Sequence, residues 1–266
     1  MTKDAWIPDF CAPEVPNAAR MYDYWLGGYH NLEADRKAAE WIQLKCPAVQ
    51  PSTYANRGYL RRVVTFLLSQ GIDQFLDLGS GIPTAGNVHE VAQAINPAAH
   101  VVYVDIDPVA VAHGQAILQH NPQAAMIQAD VGQPQQYLEH DETKRLMDWS
   151  KPAAIMCLTV LHYILDDDQA YGVVRTLRDK LAPGGYISIS HMSYDGAAPE
   201  TVEIFKSLGI APKVRTQAEI ARFFEGFELV EPGVVHIPLW RPESSTDILL
   251  DQPGQALGFA GIGRKP

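Results

Sequence analysis

The chain has 266 residues, of which 47% are hydrophobic and 20% charged, with a formal net charge of −10. At about 150 residues per domain this is one large domain or one domain with an appendage, too apolar to be disordered and long enough to bury a core without disulfides or metals. The acidic balance disfavours a general nucleic-acid binder and electrostatic attachment to an anionic membrane, and no run of about 18 apolar residues reads as a transmembrane helix.

The first ten residues carry one Lys and two Asp around a broken apolar pattern, unlike a secretory signal. Cys11, Cys46 and Cys157 have no metal-type spacing and read as reduced thiols, with Cys157 a small core residue; a cytoplasmic protein is expected. Residues 17 to 62 are rich in aromatics and arginines, among them Arg20, Tyr22, Tyr24, Trp25, Trp41, Arg57 and Tyr59. Gly27-Gly28, Pro47 and Pro51 break this stretch, which predicts two or three helices joined by turns, one over about 32–45 and one over about 53–70.

From Gln74 onward, short apolar strands alternate with helices. Phe75 to Leu78 is a strand ending in Gly79-Ser80-Gly81, and Asn87 with Glu90 forms a capping pair before the next helix. Val101 to Val104 is a strand ending at Asp105, with a helix from Pro108 to about 120. Ala125 to Gln128 is a third strand, ending at Asp130, and 153–158 a fourth, followed by a helix over about 168–181. Pro183-Gly184-Gly185 turns into a fifth strand over 186–190. Thr216 and Glu219 are a capping box, Phe227 to Val230 a strand, 241–255 a loop, and 257–264 a last strand despite its glycines. This βαβα order predicts an α/β protein with a doubly wound, mostly parallel sheet.

In such a sheet, ligands bind beyond the carboxyl ends of the strands, so the residues there carry the functional information. Small residues at Gly79, Ser80 and Gly81 let backbone approach a ligand and offer N–H groups to its polar parts. Asp105, at the end of the second strand, is placed to accept from ribose hydroxyls, and Asp130 from an adenine amino group. A dinucleotide fingerprint would be GxGxxG, but Thr84 stands at the last glycine. Asp77, two residues before the first glycine, repels a pyrophosphate and suits a cationic ligand.

These residues, with Asn87-Val88-His89-Glu90, Val102 to Pro108, Leu161-His162-Tyr163, Leu181 to Gly185, Ser190-His191, Tyr22 to Gly28 and Trp240-Arg241-Pro242, resemble class I S-adenosylmethionine-dependent methyltransferases. The chain looks most like an actinobacterial group of S-adenosyl methyltransferases without an assigned substrate. The resemblance implies a Rossmann-like, seven-stranded sheet whose last strand is antiparallel, an N-terminal helical lid over residues 1–62 and a cofactor-binding domain over 63–266. It implies that Asp77, Gly79, Ser80 and Gly81 hold the methionine part of S-adenosylmethionine. Asp105 would take the ribose, Ile106 the adenine face, and Asp130 with Val131 the adenine edge; Leu158 and Thr159 would lie along the sulfonium side. Pro83 departs from the superfamily's small residue at that place.

Tyr22 resembles a tyrosine near the methionine end of the cofactor, and Arg57 or Arg20 is placed to pair with its carboxylate. The plainer reading of that segment is a packed helical cap. His162, after the fourth strand, and His191, on the fifth, are the candidate catalytic bases, each also readable as a core or positioning histidine. The run Asp166-Asp167-Asp168 reads as a solvated helix start, and no metal is expected. The expected reaction is methyl transfer to an O, N or C nucleophile of a small molecule. The alternatives are a non-catalytic protein that binds S-adenosylmethionine or S-adenosylhomocysteine, and a nicotinamide-dependent oxidoreductase.

Overall fold

The computed structural model describes residues 14–82, 86–195, 203 and 212–266. Cys11, Pro83 and Thr84 lie outside them.

The N-terminal stretch forms three helices: α1 (Ala18–Trp25), α2 (Glu33–Lys45) and α3 (Val49–Ser69). Asn17 caps α1 by accepting from the N–H groups of Ala19 and Arg20, one of the standard ways to satisfy a helix's first donors. Pro51 falls in the first turn of α3, where a missing N–H costs nothing, so that helix starts earlier than 53. Met21, Trp25, Ala39, Ile42, Cys46 and Val49 make a small core of their own. Gly27-Gly28 closes α1: a Cβ on Gly28 would lie 2.0 Å from Asp23 Oδ1, so only glycine lets the turn pack on that carboxylate. Asp23 Oδ2 in turn accepts from His30 N–H and Asn31 Nδ2, each at 2.9 Å.

The sheet is built from β1 (Gln74–Leu78), β2 (His100–Asp105), β3 (Ala124–Gln128), β4 (Ala154–Leu158), β5 (Tyr186–Met192), β6 (Glu228–Leu229), β7 (Val235–His236) and β8 (Gly258–Arg264). Its order is β3-β2-β1-β4-β5-β8-β6, with β7 on β8. The first five strands are mutually parallel and β8 runs antiparallel to β5, from Tyr186 opposite Arg264 to Met192 opposite Gly258. The eighth strand beyond the expected seven is the two-residue β7.

Between the strands lie α4 (Val88–Ile95), α5 (Pro108–Leu118), α6 (Pro134–Leu138), α7 (Asp141–Leu146) and α8 (Asp167–Lys180), with α9 (Gln217–Arg222) before β6. The capping boxes at Asn87 and Thr216 are present, and Asp107 and Asp166 cap α5 and α8.

Strand periodicity divides the core. Phe75, Val101, Tyr103, Met126 and Met156 face α3, α4 and α5 on one side. Leu76, Leu78, Val102, Val104, Ile155 and Cys157 face α6, α7, α8 and Phe223-Phe224 on the other. Because both faces are covered, β1 is buried along its whole length. α3 runs across position 62, and its buried face belongs to the sheet core, so the helical segment and the sheet share this helix. Trp240 sits fully buried, edge-on to Tyr59 and Phe66, while Arg62 Nε donates to its carbonyl at 2.8 Å; the Trp-Arg-Pro segment thus pins α3 to the C-terminal part.

Candidate active site

The strand order reverses between β1 and β4, and a crevice at such a switch point is where open α/β sheets bind ligands. A cavity of about 560 Å³ opens there, within the range of small-molecule sites. It is lined by Tyr22, Arg57, Asp77, Gly79, Ser80, Gly81, Asp105, Ile106, Asp130, Val131, Leu158 and Thr159, so all twelve residues expected around the cofactor come together. Ala18 and Ala19 of α1 form its roof with Tyr22.

The glycine turn works differently from expectation. Gly79 and Ser80 donate their N–H groups to the Val104 carbonyl at 2.8 and 3.2 Å, and Gly81 donates to Asp105 Oδ2 at 2.7 Å. These three donors are spent on the protein, so they are not offered to a ligand. What the turn supplies is closeness: Gly79 has φ +68°, and a Cβ there would lie 2.2 Å from Val160 Cγ2.

The floor is acidic. Asp105 Oδ1 accepts from Asp107 N–H at 2.8 Å, and with Gly81 on Oδ2 each carboxylate oxygen keeps a lone pair for a further donor. Burial pushes its carboxyl up to about 6. Burial also pushes Asp77 up to about 7, with Asp105 adding to the rise and Arg57 opposing it. Arg57 reaches Asn87 Oδ1 at 3.4 Å, but its Nε is buried without a hydrogen-bond partner. Asp130 Oδ1 accepts from Gly132 N–H at 2.7 Å, and Ile106 presents an apolar side chain that is 62% exposed. Arg20, the other candidate for a ligand carboxylate, is instead buried against Asp35 at 2.7 Å and Asp107 at 3.4 Å.

A polar chain links roof to sheet. Asn56 Nδ2 donates to the Tyr22 hydroxyl at 2.9 Å, Ser190 Oγ donates to Asn56 Oδ1 at 2.7 Å, and Thr159 N–H donates to Ser190 Oγ at 3.1 Å. Thr159 itself has φ +54°, a strained conformation of the kind that clusters at functional sites. The residues Thr53, Asn56, Arg57 and Leu60 fall on one face of α3 at helical spacing. Asn56 escaped the sequence reading; its signal was a polar residue inside an otherwise apolar stripe.

The two histidines separate. His162 lines a smaller cavity of about 110 Å³ that shares Tyr22, Asn56, Thr159 and Tyr163 with the larger one. Burial, with His191 and Arg215 nearby, holds its imidazole well below the usual histidine range. His191 lines neither cavity, contrary to the expectation that it faces the substrate. Strand alternation puts it on the face of Ile187 and Ile189, stacked on Phe223, while Ser188 and Ser190 face α3. Arg215 donates to its Nε2 at 2.9 Å, so its Nδ1 carries the proton and donates to the Met192 carbonyl at 2.8 Å. Arg215 also donates to the carbonyls of Leu161 and Ile164 and to Asp167, clamping the turn that carries His162. Nothing in the sequence flags Arg215, because its partners lie 24 to 54 residues away.

Residues 5–266 match the S-adenosyl methyltransferase family. The chain belongs to that family. S-adenosylmethionine is the family's cofactor, and the acidic floor, the apolar Ile106 platform and the open Arg57 Nε fit its ammonium, ribose, adenine and carboxylate. A methyltransferase candidate from Thermobifida fusca YX is 46% identical over 97% of this chain and 96% of its own, with a TM-score of 0.89. A DUF574 family protein from Streptomyces avermitilis is 35% identical over 96% and 99%, with a TM-score of 0.90. The plantazolicin methyltransferase BpumL, solved with S-adenosylhomocysteine, is 14% identical over 93% and 95%, with a TM-score of 0.51, and shares the fold. Among curated proteins no sequence relative is found. Among the described residues, no helix is long and apolar enough to cross a membrane, and no three His, Cys, Asp or Glu side chains are grouped to hold a metal.

Proposed function

We propose that the chain transfers a methyl group from S-adenosylmethionine to an O, N or C nucleophile of a small molecule. The observation that carries the reading is the cavity floor: two buried carboxylates, Asp77 and Asp105, under a turn whose N–H groups are all turned inward. That floor repels a pyrophosphate and receives an ammonium and a ribose, which separates this site from a nicotinamide site on the same class of sheet.

When bound, S-adenosylmethionine would supply an electrophilic methyl on its sulfonium, with the proton of an O–H or N–H acceptor passing to solvent. The protein's part is alignment and exclusion of water. Asp77 takes the ammonium, Arg57 the carboxylate, Asp105 the ribose hydroxyls, and Ile106, Asp130 and Val131 the adenine. Tyr22 and Tyr163, at the junction of the two cavities, suit a sulfonium through their ring faces. His162 stays a neutral imidazole, able to orient a nucleophile but a poor store for its proton.

The test is calorimetric titration with S-adenosylmethionine, S-adenosylhomocysteine and NAD in parallel, on the wild type and Asp105→Ala. The expected result is micromolar affinity for both sulfur ligands, none for NAD, and a loss of roughly 1–3 kcal/mol in the variant, the scale of hydrogen bonds to a charged group. Unchanged affinity in a folded Asp105→Ala protein overturns the ribose assignment. Binding without any methylated product across an acceptor screen would favour the non-catalytic alternative.

A further inference from the structure

The smaller cavity has a chemistry of its own. Met21, Trp25, Val49, Met192, Ile237 and Leu257 are the large apolar residues of its wall. Among the described residues that line it there is no Asp, Glu, Lys or Arg, so a charged guest would lose its hydration with nothing to replace it. At about 110 Å³ it is of the order of the apolar cavities, about 150 Å³, that accept a benzene ring.

Its polar groups are mostly committed. The single proton of Ser52 Oγ lies between the carbonyls of Ala48 and Gln255, and Thr53 Oγ1 donates to that of Val49. Tyr22 and Asn56 belong to the chain that ends at Ser190 and Thr159. His162 and the half-exposed Tyr163 make no side-chain hydrogen bond among the described residues, and of the two His162 is the buried one. The residue is only 4% exposed; its Nδ1 is fully covered, which leaves Nε2 as the nitrogen the cavity can reach. Arg215 fixes the backbone of the turn that carries it, and the ring packs against Tyr163 at 4.5 Å and His191 at 5.5 Å between centroids.

We propose that this cavity is the methyl-acceptor subsite and that it takes an uncharged, single-ring aromatic compound whose one hydroxyl pairs with the imidazole of His162. The proposal rests on the reading of the larger cavity as the cofactor site, since the shared Tyr22, Thr159 and Tyr163 are what bring such a hydroxyl alongside the cofactor. It selects against acidic and basic acceptors by desolvation and against plain hydrocarbons because they would leave His162 Nε2 unpaired.

The experiment titrates protein saturated with S-adenosylhomocysteine against four probes of one size at pH 7.5: phenol, toluene, benzoate and benzylamine. Phenol should bind about tenfold more tightly than toluene, with benzoate and benzylamine weaker than both. His162→Phe should erase the preference for phenol over toluene, and Val49→Phe, which fills the cavity, should abolish phenol binding while keeping the affinity for S-adenosylhomocysteine. Equal binding of phenol and toluene, tighter binding of either ion, or unchanged phenol affinity in Val49→Phe overturns the proposal while the cofactor reading stands. Failure of the wild type to bind S-adenosylhomocysteine overturns the cofactor reading and this proposal with it.

Discussion

Asp77 shows how one buried carboxyl ties ligand affinity to pH. Burial holds it up at about 7, far above a free aspartate, so near neutrality much of the unliganded protein carries it protonated. An ammonium partner needs the ionised form. Affinity for S-adenosylhomocysteine should therefore fall as pH drops from 8 to 6, approaching tenfold per unit below 7. Asp77→Asn should bind more weakly and lose most of that dependence. The stability of the unliganded protein runs the other way. The folded state holds this proton up to about pH 7 while the unfolded chain releases it near 4, so the protein loses stability as pH rises through that window. Thermal melts at pH 5 and pH 8 check the sign: Asp77→Asn should gain several degrees on the wild type at pH 8 and little at pH 5. Asp105, raised to about 6, leaves a residual slope that ends lower.

At the scale of elements, Arg20 decides whether the N-terminal helices act as a lid or merely as a cap. Its guanidinium joins α1 to Asp35 on α2 and to Asp107, the N-cap of α5, and donates to the Val15 carbonyl at 2.9 Å. Asp35 collects the N–H groups of Asn17 and Leu32 as well, each at 2.8 Å. Removing the cation strands two buried carboxylates, which typically costs 3–5 kcal/mol. Arg20→Ala should raise hydrogen exchange across 14–25, leave β1 and β4 protected, and weaken S-adenosylhomocysteine binding because Ala18, Ala19 and Tyr22 no longer cover the cavity. Unchanged affinity with a loosened α1 would show that the helix only caps the fold.

The same elements show what the sequence could reveal. Strand periodicity located β1 to β5 and, through them, every residue expected on the cavity floor, because strand ends and site coincide in this architecture. Arg20 and Arg57 looked alike as partners for a ligand carboxylate; only the fold brings Asp35 and Asp107 against one of them. Ser190 and His191 are neighbours in the chain, and their opposite facing on β5 put the serine, not the histidine, in the network beside the cavity. The turn's N–H groups looked available because nothing local shows that the chain folds back onto Val104 and Asp105.

For the molecule as a whole, the site joins parts that could otherwise melt separately. Its wall draws on α1, α3, the ends of β1 and β4 and the segments after β2 and β3, so a ligand that fills it stabilises roof and sheet together. S-adenosylhomocysteine at a hundred times its dissociation constant contributes about 2.7 kcal/mol. For a domain of this size each 1 kcal/mol moves the midpoint by roughly 2–4 °C, so the melt should rise by about 5–10 °C and remain a single transition. At pH 8, where Asp77 is mostly ionised, NAD at the same concentration should leave it unmoved, because that carboxylate repels its pyrophosphate and Gly79, Ser80 and Gly81 have no N–H left to offer. Should the liganded protein instead melt in two steps, with the early one carrying the tryptophan signal of Trp25 and Trp41, the helical segment would be an appendage whose contacts with the cavity are dispensable for binding.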